Sequence, residues 1–81
     1  MMKDFEVGDL VTDGFLHLAP RYFYEVTACM GGIVTVATVY SVYENLIMLN
    51  PLRTEFNSYQ FKCLTLAQYL MYLKAKEECH A

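Results

Sequence analysis

Eighty-one residues, 56% of them hydrophobic, make one domain with no chain to spare for a second and barely enough for a self-sustaining core. The net charge of −3 is carried by the first 13 residues, where Asp4, Glu6, Asp9 and Asp13 face Lys3 alone; the remainder balances. No basic stripe is left to neutralise phosphates, which argues against a nucleic acid as partner.

The first segment reads as a strand over 7–12, kinked at Gly8-Asp9, with Asp13-Gly14 as a hairpin turn and an answering strand over 15–18 that ends at Ala19-Pro20. Next comes an uncharged run from Val26 to Tyr43, long enough to raise a membrane helix as a candidate. Its five Val and three Thr, the absence of Leu and the central Gly31-Gly32 favour strands over 21–29 and 33–42 joined by a turn, and no basic cluster flanks it. A three-residue loop of Met30, Gly31 and Gly32 would pair Cys29 with Ile33. That register gathers Tyr22, Tyr24, Val26, Ala28, Val34, Val36, Thr38 and Tyr40 on one face, expected to lie beneath the C-terminal helix; a two-residue turn would mix Val34 and Val36 with Glu25 and Thr27.

Beyond Glu44-Asn45 a strand is expected over 46–49, stopped by Asn50-Pro51. Residues 52–58 read as irregular, with room for one helical turn. Residues 59–63 form a short edge strand that Lys62 keeps from further pairing. The period then changes, and Thr65 with Gln68 makes a capping box at the head of a helix over 66–78. Leu66, Tyr69, Leu70 and Leu73 are spaced to cover the sheet, and Tyr69, Met71 and Tyr72 offer a second stripe to another molecule.

The expected fold is mainly β with one C-terminal α-helix, a small bent antiparallel sheet or partly open barrel of five to six strands. The pattern Phe5-x-x-Gly8-Asp9-x-Val11, then Tyr24-Glu25-Val26 and Val34-Thr35-Val36, resembles small barrels of the Src-homology-3 type, including many short phage and prophage proteins. The resemblance covers residues 5–49 and implies no functional residue, because that class hosts peptide binders, nucleic-acid binders and inhibitors alike.

Chemistry-bearing residues are sparse. His17 and His80 are the only histidines, and a nucleophile pair of His17 with Cys29 or Cys63 lacks any third group to orient it. Cys63, Cys79 and His80 lack the close pairing of zinc ligands. No catalytic residue, metal or cofactor is therefore assigned. Cys29, Cys63 and Cys79 are an odd set without a CxxC pair or a secretory segment ahead of them, which reads as reduced thiols in the cytoplasm. Cys29 and Cys63 are expected as small core residues.

Seven Tyr and five Phe exceed what so small an interior holds, so an apolar patch is expected on the surface. The function that follows is a non-catalytic protein-interaction module, possible partners being a host protein, as for a phage-type inhibitor, or a second copy. The candidate contact residues are Tyr69, Met71 and Tyr72 on the helix and Asp4, Glu6, Asp9 and Asp13, whose carboxylates would imitate a run of phosphates. The alternatives are a nucleic-acid-binding barrel that stacks bases on its tyrosines and a homo-oligomeric structural protein.

Overall fold

Two glycines join the two longest strands among the described residues. In the computed structural model, which describes residues 5–13 and 20–79, strands β2 (Tyr22–Met30) and β3 (Ile33–Ser41) form an antiparallel hairpin. Gly31 and Gly32 have φ of 54° and 83°, so both adopt the left-handed conformation that a tight two-residue hairpin turn demands. Met30 pairs with Ile33 and Cys29 with Val34, so the three-residue loop is not formed.

The valines nevertheless come together on one face, by another route. The register shifts between Val26 and Ala28, leaving Thr27 as an extra residue in β2, and the Thr27 hydroxyl donates to the Thr35 carbonyl at 3.2 Å. Past this bulge Val26 faces Val36 and Tyr24 faces Thr38, the pairing that the expected register requires. A second shift between Phe23 and Tyr24 leaves Val39 extra in β3, so Phe23 faces Tyr40 and Tyr22 faces Ser41. The predicted pairing thus holds in the middle of the hairpin and fails at both ends.

The short strands build on this frame. β1 (Leu10–Thr12) pairs with β2, and β6 (Lys62–Cys63) pairs with β1. On the other edge, β3 carries β4 (Leu46–Ile47) at Tyr40 and Ser41 and β5 (Arg53–Asn57) along Ile33 to Ala37. The path through the sheet is β4-β3-β2-β1-β6, with β5 also on β3. A 3₁₀ turn at Ser58–Gln60 links β5 to β6, and the Ser58 N–H donates to the Gly32 carbonyl at 2.8 Å. Asn45 and Asn50, the two breakers of the 43–52 region, both have φ of 53°. Helix α1 (Leu66–Glu78) follows.

Several expected elements differ. The first strand begins at Leu10 because residues 7–8 form a turn that hydrogen-bonds to Val26, the Gly8 N–H donating to the Val26 carbonyl at 2.8 Å. The strand expected over 46–49 stops at Ile47, and the segment read as irregular contains β5. Tyr59 and Gln60, at the start of the strand expected over 59–63, belong to the 3₁₀ turn, and only Lys62 and Cys63 pair as a strand. The Asp13-Gly14 turn, the strand over 15–18, Asp4, His17 and His80 lie outside the described residues, wholly or in part.

Because successive side chains of β2 point to opposite faces, Phe23 and Val26 serve different cores, and both are fully buried. Val26, Val34 and Val36 join Val11, Phe5 and Phe61 on one face, with Tyr24 and Phe56 at its margin. Phe61 packs edge-on against Phe56 and Tyr24 at ring distances of 5.5 and 5.3 Å, so the chain from β5 to β6 folds over this face. Phe23 and Tyr40 lie on the other face with Tyr72 and Ala75 of α1. The helix therefore covers the Phe23 side and not the Val26 side, a reversal of the sequence reading, and the bulge at Val39 turns Tyr40 to the helix side with Phe23; without it, Tyr40 and Val36 would share a face.

The backbone sign at the turn is directly testable. A Cβ on Gly31 meets nothing within 4 Å, so substitution costs only backbone strain. Gly31→Val is expected to lower the unfolding free energy by about 1–2 kcal/mol in urea, and Gly31→Asn by clearly less, since Asn visits the left-handed region readily.

Candidate functional site

Helix α1 starts where its capping box predicts. The Gln68 N–H donates to Thr65 Oγ1 at 3.2 Å and the Thr65 N–H donates to Gln68 Oε1 at 2.8 Å, so two amides at the helix start are satisfied reciprocally. Lys76 stands in the last turn, where the helix dipole favours a cation.

The inner face of this helix is narrow. Tyr72 and Ala75 are its buried residues, and Tyr72 packs edge-on against Tyr40 at 6.0 Å, with Phe23 beneath. Tyr72 is thus part of the core and not of a free face, because the 100° step of the helix turns it toward the sheet together with Ala75. The Tyr40 hydroxyl donates to Asn45 Oδ1 at 2.6 Å, which ties the same cluster to the left-handed turn after β3.

The residues expected to cover the sheet are the ones left outside. Leu66 is 74% exposed, Leu70 55% and Leu73 39%, at positions about half a helical turn away from Tyr72 and Ala75. Tyr69 and Met71 flank this stripe on opposite sides, both with substantial exposure. The spacing of four then three residues between the leucines is a seam pattern that repeats every seven, and it was legible in the sequence as a helix face but assigned to the wrong side.

The acidic turn lies next to the start of the helix. Gly8 has φ of 98°, and the Glu6 N–H donates to Asp9 Oδ2 at 2.8 Å, closing the turn locally. Asp9, Leu10, Cys63, Leu64, Leu66 and Tyr69 line one open groove, so the structure brings Asp9 and Tyr69 together. Asp13 is set apart at the end of β1; its Oδ1 and the neighbouring Thr12 Oγ1 are buried with no hydrogen-bond partner among the described residues. A second apolar exposure, missed in the sequence, is Tyr43, Leu46, Leu49 and Leu52 along the connection from β3 to β5.

Cys29, Cys63 and Cys79 are all exposed free thiols, so the first two are not core residues; Cys29 follows the Thr27 bulge, and its Sγ donates to the Phe5 carbonyl at 2.9 Å. Among the described residues no three of His, Cys, Asp and Glu gather as metal ligands, and no helix is long and apolar enough to cross a membrane. Comparison of the chain with family models, with curated proteins and with solved structures finds no match in any of the three.

Burial against Phe61, reinforced by the charge of Asp13 and by Tyr22, pushes the Tyr24 hydroxyl up to about 12. An unfolded Tyr loses its proton near 10, so between about pH 10 and 12 the folded state holds the extra proton and stability falls as pH rises. Urea midpoints followed through that window are expected to fall less steeply for Tyr24→Phe than for the wild type.

Proposed function

We propose that the chain is a small, non-catalytic, cytoplasmic module that binds a protein through the outer face of α1. The observation that carries this reading is the stripe of Leu66, Leu70 and Leu73, held outward because the helix needs only Tyr72 and Ala75 to seal the core. Helices of soluble domains bury their apolar stripe, and one that presents it to water is built for a partner. Tyr69 and Met71 widen the surface, while Tyr72 contributes only by fixing the helix in place.

The β5–β6 connection, which carries Phe61 over Val26 and Val36, supports the partly open small barrel that the resemblance over residues 5–49 implies. The narrower reading, an accessory factor or inhibitor of the kind short phage proteins supply, rests on that resemblance. The formal charge of −3 gives no support to a nucleic-acid surface.

Leu70→Glu combined with Leu73→Glu tests the surface. The double variant is expected to keep its far-ultraviolet dichroism, and its unfolding free energy in urea within about 0.5 kcal/mol, as surface substitutions do. It should lose at least tenfold in affinity for whatever protein the wild type retains from its source cells, measured by titration of the purified pair. Unchanged affinity would remove the helix face as the binding surface.

A further inference from the structure

We infer that the partner of this face is a second copy of the chain, with the two α1 helices packed antiparallel about a two-fold axis. The inference rests on the reading of α1 as an interaction surface and adds the identity of its occupant.

The outward positions Leu66, Leu70, Leu73 and Glu77 follow one another at intervals of four, three and four residues, the seam spacing of paired helices. In an antiparallel pair Leu70 meets the partner copy's Leu73, and Leu66 meets the methylene stem of its Glu77. The arrangement is self-complementary, as a two-fold interface must be.

Charge selects the direction. Lys76 lies on the same flank of the helix as Tyr69, its Nζ 5.9 Å from the Tyr72 ring centre. Asp9 lines the groove beside Tyr69 at the other end of that flank. Antiparallel packing brings Lys76 of each copy toward Asp9 and Tyr69 of the other, and sets each Glu77 near the opposing helix start, where the dipole favours an anion. Parallel packing would instead set Glu77 against the partner copy's Glu77 on the seam and the flank of Lys76 against that of the partner copy's Lys74.

The test is sedimentation equilibrium of the purified chain from about 1 µM to about 1 mM, the range of a modest interface. A rise from monomer to dimer mass is expected, abolished by Leu70→Glu with Leu73→Glu. Lys76→Glu should weaken the dimer at least fivefold, whereas Lys76→Arg, which keeps the charge, should leave it within about twofold. Direction is read separately in chains whose natural cysteines are replaced by Ser. A mixture of the Leu70→Cys and Leu73→Cys chains should be joined by a short bis-maleimide more readily than either chain to itself. A wild type that stays monomeric, or a dimer indifferent to the leucines, overturns the inference. So does preferential self-linking of each single-cysteine chain. A monomer whose outer leucines are still needed to bind another protein sinks self-pairing and leaves the interaction-module reading standing, whereas a monomer with dispensable leucines sinks both.

Discussion

The two extra residues in the central hairpin, Thr27 and Val39, are the constraint on which the rest of the structure depends. A regular hairpin has one apolar face and one other, because side chains alternate strictly. Each inserted residue exchanges the faces beyond it. The valines thus turn toward the side that β5, the 3₁₀ turn and β6 close over, while Phe23 and Tyr40 turn toward the helix. One hairpin serves two small cores, and neither is large enough to take up all the apolar side chains the chain possesses.

From this division follows the surface. An aromatic pair lies under α1, and the helix seals it with Tyr72 and Ala75, leaving its leucines outside. The surplus of a chain that is 56% hydrophobic then goes outward, onto Leu66, Leu70 and Leu73 and onto the connection from β3 to β5. Exposed apolar area of this kind raises the free energy of the lone monomer, and association that covers it lowers it again. The proposed binding is in this sense a consequence of how the core is partitioned.

Much of this was legible in the residues. Thr65 and Gln68 marked the helix start, Gly31-Gly32 marked the turn, and Val26, Val34 and Val36 were recognisable as companions on one face. The bulges were not, because an inserted residue has no compositional signature; its effect is visible only in which partners meet. Strand β5 was missed for a different reason: Arg53, Thr54, Glu55 and Asn57 are exposed and only Phe56 is partly buried, so its backbone pairs with β3 without an apolar pattern to announce it. At the candidate site Met71 is exposed as expected; Tyr69, assigned both to the sheet-covering stripe and to the free one, lies on the free side, and Tyr72 and the three leucines exchanged roles. A helix with apolar residues on several sides has no intrinsic inner face, and which side packs on the Phe23–Tyr40 pair is visible only in the folded chain.

Side-chain nuclear Overhauser effects on the wild-type chain test the central claim most directly, because Phe23 and Tyr40 are buried whatever the state of association. The partition described here predicts strong effects from the Tyr72 ring and the Ala75 methyl to the rings of Phe23 and Tyr40, and none from the methyls of Leu70 or Leu73 to those rings. The reverse pattern, with the leucine methyls against Phe23 and Tyr40 and the Tyr72 ring without such contacts, would contradict it.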